Sequence, residues 1–229
     1  MLKPKKKISK KEIKEDTLVT SYYEASTWYQ QNKRTVNGVL TGVVVIAIVA
    51  VAYLNNVNSN NLKATSELGK ISSYYDQGKY DVAINGNLQE NVRGLQSIVD
   101  DYGSTKAGEL ATFYLADCYY AQGNYDKALQ YFLDVHVSDE LISASAIAGA
   151  AACYEAQANY EKAATTYEKA AFKYTKDVNA AENMFHAAKN YLAAGNKEKA
   201  AELFKKVKKD HQTAAIARDI DRWIAEASS

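Results

Sequence analysis

The sequence has few of the side chains that carry out chemistry. Its three histidines, His136, His186 and His211, are scattered, and none has a second histidine at the spacing of a metal site. It also lacks an HExxH motif, a glycine-rich phosphate loop and a nucleophile elbow. Carboxylates are abundant, but they adjoin lysines, as in Glu161–Lys162, which is typical of solvated helix faces. We therefore predict a protein that is not an enzyme, binds no metal or cofactor and carries its histidines on helix surfaces.

An excess of basic charge is also missing from most of the chain. After Leu54 there are 19 basic and 23 acidic residues, and the whole chain has a formal net charge of +1. A nucleic-acid partner would require a basic stripe on the folded domain. The charge balance therefore indicates that nucleic acid is not a partner.

Signals for strands are scarce. The chain contains a single proline, Pro4, and few runs of β-branched residues. From about Leu62 onward the sequence reads as helix throughout, and we predict an all-α fold.

One long uncharged run is present instead, from Val36 to Leu54. At about 1.5 Å per residue, a helix of this length spans roughly the hydrocarbon core of a bilayer. A buried helix of a soluble protein could be equally apolar, but its usual length is shorter. The basic region is too long for a cleaved signal peptide, and no A-x-A-like site follows the run. No cysteine lies nearby to anchor a lipid. We predict a retained signal anchor at residues 36–54.

The charge on either side of this run predicts its orientation. Nine basic and four acidic residues precede it, whereas only Lys63 and Lys70 are basic among the twenty residues that follow. Basic flanks stay on the cytoplasmic side. We therefore expect a cytoplasmic N-terminus, and a C-terminal part on the other side of the membrane.

The segments that flank the predicted span have different characters. Residues 1–35 form a basic segment that includes an amphipathic helix, whose apolar stripe contains Leu18, Tyr22, Ala25 and Tyr29. This stripe could lie at the membrane interface or dock on another membrane protein, and the sequence leaves both open. Residues 55–61, which are rich in asparagine, are predicted to be a short polar linker to a domain at 62–229.

The domain at 62–229 contains a repeat. Three segments, starting at Ala116, Ala151 and Ala188, share one spacing of small and aromatic residues, with successive steps of 3, 4, 2, 3, 4 and 3. The third position of each set is glycine or alanine. Such a residue suits the end of a first helix, where the chain reverses and glycine accepts a positive φ. Each unit is therefore predicted to be a pair of antiparallel helices that stacks on its neighbours.

The stretches QGNYDKALQYF, QANYEKAATTY and AGNKEKAAELF resemble the tetratricopeptide repeat family. This resemblance implies an α-solenoid with full units at about 109–142, 144–178 and 181–211. The family's closing proline is missing from each unit, and Lys197 replaces an aromatic residue in the third.

A degenerate unit at 62–106 precedes the full ones. Its spacing fails after Ala83, so we expect a helix, an irregular insertion around residues 84–88 and a second helix from Val92. At the other end, Ile216, Ile220, Trp223 and Ile224 form an apolar stripe. This stripe predicts a capping helix at 213–227 that covers the end of the solenoid.

The two cysteines, Cys118 and Cys153, occupy equivalent positions in neighbouring units. Equivalent positions on packed helices are separated by about 8–10 Å, whereas a disulfide requires Cα atoms within about 7 Å. We expect two buried free thiols.

In tetratricopeptide domains the first helices line the binding groove. Carried onto this chain, the resemblance implies a protein-binding groove for an apolar, extended or helical peptide, although the chain's own N-terminal helices could fill it instead. The expected groove residues are Phe113, Asp117, Tyr120, Ala148, Ala152, Glu155, Phe185, Lys189 and Leu192.

The overall layout, together with the segment YGSTKAGELA, resembles the YfgM-like family, the ancillary subunit of the bacterial Sec translocon. Membership would imply a single-pass protein of the bacterial inner membrane with its C-terminal domain in the periplasm. The implied partners are translocon subunits, a periplasmic chaperone and secreted clients. An alternative function is a structural scaffold of the envelope or cell-division machinery that acts through self-association as a homo-oligomer.

Overall fold

The computed structural model describes residues 10–173, 179–211, 216 and 219–229. The chain divides into two compact units, with the boundary between Asn56 and Val57. Over the described residues the elements are helices joined by turns, apart from one small hairpin. They are α1 (Lys10–Asp76), α2 (Tyr80–Asn85), β1 (Gly86–Asn87), β2 (Val92–Arg93), α3 (Leu95–Tyr102), α4 (Lys106–Ala121), α5 (Tyr125–Leu133), α6 (Glu140–Ala156), α7 (Tyr160–Lys173), α8 (Ala180–Ala193), α9 (Lys197–Asp210) and α10 (Ile220–Ser228).

The N-terminal unit consists of the first part of α1, which carries the candidate membrane span. The helix is long and apolar enough to cross a bilayer, and the side chains in its most apolar stretch are exposed. Residues 55–61, predicted to be a linker, are helical and lie within α1. Extending an existing helix costs far less than nucleating one, so a short asparagine-rich stretch between two helical segments stays helical. The basic residues at positions 3–7 lie outside the described residues.

The second unit contains three complete helix pairs, as the sequence predicts. We call them repeat I (α4–α5), repeat II (α6–α7) and repeat III (α8–α9). In each pair the predicted alanine of the first helix is fully buried, which lets the two helices approach closely. The second helix of each repeat then packs on the first helix of the next, so α5 packs on α6 and α7 on α8. The predicted α-solenoid is confirmed.

The turns within the repeats share one geometry. Gly123 and Gly195 adopt φ values of +76° and +84°, and Ala158 adopts φ +57° at the equivalent place. In each turn the amide of this residue donates to a carbonyl three residues back, and the next amide donates to a carbonyl five residues back, at 2.8–3.0 Å. These bonds satisfy the last carbonyls of the first helix. The predicted role of the third repeat position is confirmed, and Ala158 holds a backbone conformation that favours glycine.

The degenerate unit differs from the sequence prediction. The last part of α1 turns at Gly78 into the short helix α2, and a two-residue antiparallel hairpin, β1–β2, separates α2 from α3. Two glycines allow the two sides of the hairpin to approach closely. A Cβ on Gly94 would lie 2.2 Å from the Ile84 carbonyl oxygen, and a Cβ on Gly86 would lie 2.5 Å from the Val92 carbonyl oxygen. The predicted interruption is therefore present, but it is a hairpin. The prediction of helix throughout the domain is wrong at these residues.

The capping helix is confirmed as α10, which begins at Ile220. Residues 213–215 and 217–218 of the predicted cap lie outside the described residues. Ile220 is buried, and Ile216, Trp223 and Ile224 pack on the same core. The Trp223 ring stacks on Phe204 of α9 with 5.8 Å between ring centroids. Thus α10 covers the apolar face that repeat III would otherwise expose.

The turn geometry predicts opposite effects for two matched substitutions. We expect Ala158→Gly to raise the free energy of unfolding by about 1 kcal/mol, because it removes the steric cost of a Cβ at positive φ. Gly195→Ala should lower it by a similar amount, since it introduces the same cost in repeat III. Urea denaturation of the full chain in detergent measures both. Destabilisation by Ala158→Gly would contradict the turn assignment.

Candidate functional site

The first helices of the three repeats line an open cavity of about 370 Å³. We call it the α4–α6–α8 cavity. Of the predicted groove residues, Asp117 and Tyr120 of α4 and Ala148 and Ala152 of α6 line it. Other side chains that line it include Phe132, Ser145, Tyr167, Glu182 and His186.

The cavity exists because one aromatic pair is missing from repeat II. In repeat I, Phe113 packs edge-on against Phe132, with ring centroids 5.9 Å apart. In repeat III, Phe185 packs the same way on Phe204, at 5.6 Å. The repeat spacing puts Ala148 and Tyr167 at the equivalent positions in repeat II. An alanine there leaves open the volume that a phenylalanine fills in the other two repeats.

A second set of equivalent contacts joins each repeat to the next helix, and two of the three, Phe132–Gly149 and Tyr167–His186, line the cavity. Each second helix presents an aromatic ring to the helix that follows it, which is α6, α8 or the cap α10. Phe132 meets Gly149, where an added Cβ would lie 2.5 Å from the ring. Tyr167 stacks on His186, with centroids 5.1 Å apart, and Phe204 stacks on Trp223. Glycine at the first of these positions gives Phe132 room to pack directly on the α6 backbone.

The carboxylates of the cavity come from different helices. The Tyr75 hydroxyl of α1 donates a 2.5 Å hydrogen bond to Asp117 Oδ2. Glu182 of α8 is exposed. Within the part of the chain that the structure describes, neither Asp117 nor Glu182 forms an ion pair, and no lysine or arginine lines the cavity. The cavity is therefore acidic.

His186 has the most restricted surroundings of the three histidines. Its Nδ1 atom is buried, has no hydrogen-bond partner among the described residues, and lies 4.0 Å from Glu155 Oε2. Burial lowers the pKa of His186, an effect that outweighs the opposing influence of Glu155 and Glu182, and nearby Lys189 lowers it further. The imidazole is therefore neutral at pH 7. His186 lies on α8 with 42% of its side chain exposed, as predicted for a helix-surface residue. The prediction that all three histidines lie on helix surfaces is wrong for His136 and His211, which lie beyond the ends of α5 and α9.

The remaining predicted groove residues lie outside the cavity lining. Glu155 contacts the cavity residue His186, with 4.0 Å between Glu155 Oε2 and His186 Nδ1. Phe113 packs on the cavity residue Phe132. The ring centroids of Phe185 and Trp223 of α10 are 5.6 Å apart, and Lys189 Nζ lies 5.6 Å from the centroid of the Trp223 ring. Leu192 packs on the hydrophobic core that repeat III shares with α10. The cap thus occupies the third-repeat part of the predicted groove.

Several cavity residues have no counterpart in the sequence prediction. Ser145, Tyr167, Glu182 and His186 were not among the expected groove residues, yet all line the cavity. A signal for His186 was available, because Gly149, His186 and Trp223 follow one another at intervals of 37 residues. Only the contacts show that this interval marks the ring-packing position.

The two cysteines are free, fully buried thiols, as the helix spacing predicts. Burial raises the pKa of both Cys118 and Cys153 to about 12. They act as small apolar core residues. Among the residues that the structure describes, no three histidine, cysteine or acidic side chains are grouped so that they could hold a metal ion.

Comparison with known proteins identifies the repeat. Tetratricopeptide repeat family models match residues 100–138 and 182–214. Among solved structures that match, crystal structures of kinesin light chain nearly identical TPR-like repeats from Podosopora anserina, and of a point variant, superpose with a TM-score of 0.56 at 17% identity. The alignments cover 73% of this chain and 85–86% of those chains. No curated protein gives a significant match. The chain therefore contains tetratricopeptide repeats, and the structural likeness concerns the fold.

The lowered pKa of His186 predicts how stability depends on pH. The unfolded chain, with a histidine pKa near 6.5, binds the proton more tightly than the folded chain, so stability falls as pH drops from 6.5 through the folded-state pKa. We expect His186→Phe, which keeps a ring on Tyr167, to reduce this loss. Urea denaturation of both proteins between about pH 7.5 and 5 measures it. Equal pH dependence in the two proteins would contradict the assignment.

Proposed function

We propose that the protein is a membrane-anchored binding module that holds a segment of a partner protein in the α4–α6–α8 cavity. The observation that carries this proposal is the void opposite Tyr167 in repeat II. At the equivalent position repeats I and III have a phenylalanine, whereas repeat II has Ala148. Tetratricopeptide repeats imply protein partners, and the cavity lies on the first helices, where we expect the groove.

The N-terminal part of α1 serves as the anchor in this proposal. Its exposed side chains between Val39 and Leu54 are almost all apolar, and such a surface requires lipid or protein around it. The basic leader favours a cytoplasmic N-terminus, and in this proposal the repeat domain lies on the other side of the membrane. In a bacterium this compartment is the periplasm.

The partners that fit this arrangement are proteins of the export route. The resemblance to the YfgM-like family rests on the layout of leader, anchor and repeats and on the segment YGSTKAGELA, and it supports a place beside the Sec translocon. Translocon subunits, a periplasmic chaperone or secreted clients would then supply the bound segment.

A self-associating scaffold of the envelope or division machinery is the second candidate. It is favoured by Gly38 and Gly42, four residues apart on α1, where an added Cβ would meet nothing within 4 Å. Such a pair allows a second helix to approach closely within a membrane. Sedimentation of the full chain in detergent separates the candidates, because a stable oligomer that is lost in Gly42→Leu supports the scaffold.

Filling the cavity should abolish partner binding without unfolding the domain. We expect Ala148→Phe to restore the ring pair of the other repeats, and therefore to leave the melting temperature unchanged or higher. Photo-crosslinking from a benzoylphenylalanine introduced at Ser145 should lose its partner bands in this variant.

Thr165→Phe provides a matched control, because it adds the same ring to an exposed position of α7. The control should crosslink like the parent. Unchanged crosslinking in Ala148→Phe at an unchanged melting temperature would refute the cavity as the binding site.

The anchor and its orientation are tested in cells. Protease added to spheroplasts should digest the repeat domain and spare the basic N-terminus. Val45→Lys should reduce membrane insertion, since a lysine at the bilayer centre costs about 3 kcal/mol. Protection of the repeat domain with loss of the N-terminus would reverse the orientation, and normal insertion of Val45→Lys would exclude this span.

A further inference from the structure

The charges around the α4–α6–α8 cavity specify which side chain it can accept. Asp117 enters from α4 and Glu182 from α8, and neither has an ion-pair partner among the described residues. Glu155 of α6 lies at the border. Two helices thus bring a carboxylate to the cavity lining, and the carboxylate of Glu155 lies beside His186.

The nearby cationic groups do not neutralise this charge. His186 is neutral at pH 7, because burial lowers its pKa. The amine of Lys189 lies over the rings of Trp223 and Phe185, at 5.6 and 6.0 Å from their centroids, and this residue is outside the cavity lining. Lys189 acts on the cavity from outside by lowering the pKa of His186, and the two lining carboxylates, Asp117 and Glu182, form no ion pair with it among the described residues.

The walls of the cavity suit the stem of a long side chain. Ala148 and Ala152 provide a small apolar surface, and Tyr120 and Tyr167 provide aromatic rings. Lysine and arginine bury their methylene stems against such surfaces while the charged end reaches polar groups, and aromatic rings attract the cation. A volume of about 370 Å³ is at the lower end for ligand pockets, which suits one large side chain better than a folded element.

We infer that the α4–α6–α8 cavity binds a lysine or arginine side chain from an extended or helical segment of the partner, with the cation between Asp117 and Glu182. This inference rests on the proposed function and specifies the chemistry of the bound segment. It gives a selection rule that differs from that of an apolar groove, because a segment of equal size without a basic residue forms no ion pair with Asp117 or Glu182.

The test uses peptide libraries and the full chain in nanodiscs. Each library fixes one central residue as lysine, arginine, norleucine or glutamate, with degenerate apolar flanks, and binding is measured by fluorescence anisotropy. We expect the lysine and arginine libraries to bind roughly tenfold more tightly than the norleucine library, and the glutamate library to bind most weakly. This preference should weaken as salt is raised.

Variants assign the preference to the two carboxylates. Asp117→Asn combined with Glu182→Gln should remove most of the preference for a basic residue. Glu182→Gln alone should reduce it, and this variant leaves the Tyr75–Asp117 hydrogen bond intact. Glu161→Gln combined with Glu198→Gln is the matched control, because it removes the same charge from exposed positions of α7 and α9 and should leave the preference unchanged.

The outcomes separate this inference from the proposed function. Binding that does not depend on the central residue, or a basic preference that survives in the Asp117–Glu182 double variant, would overturn the inference and leave the binding module intact. If none of the libraries binds and Ala148→Phe also leaves crosslinking in cells unchanged, both proposals fail.

Discussion

The packing of one aromatic ring onto the helix that follows it is the contact on which the repeat domain depends. Phe132, Tyr167 and Phe204 each meet the following helix at an equivalent position, where Gly149, His186 and Trp223 lie. A single repeat cannot bury such a ring alone, so each unit requires its neighbour. The same contact explains why α10 is needed, since without Trp223 the Phe204 ring would face solvent.

The sequence predicts the helix pairs well, because their determinants are local. Small residues at helix crossings and a residue with positive φ at each turn recur at fixed steps, and the structure has them where the steps place them. The β1–β2 hairpin was missed because it depends on a close approach between Gly86 and Gly94, whose contacts lie across the hairpin. The helical state of residues 55–61 was missed because it depends on the flanking helix rather than on asparagine itself.

The candidate site is predicted only in part, for a related reason. Asp117, Tyr120, Ala148 and Ala152 were identified by counting along first helices, and they line the cavity. Phe185 and Lys189 have the same periodicity, but they contact Trp223, and sequence periodicity does not show where a terminal helix will pack. The cavity exists because Ala148 is smaller than its equivalents Phe113 and Phe185. It can therefore be recognised only when the three repeats are compared in space.

The rates at which the two buried thiols react with a reagent would measure how often the domain opens locally. Cys118 and Cys153 are fully enclosed in successive repeats, and their raised pKa keeps them protonated and unreactive while the helices are closed. A thiol reagent can therefore modify each one only during an excursion that exposes it, so two labelling rates would report how often α4 and α6 separate from their neighbours. A partner segment that bridges these two helices would slow both rates together.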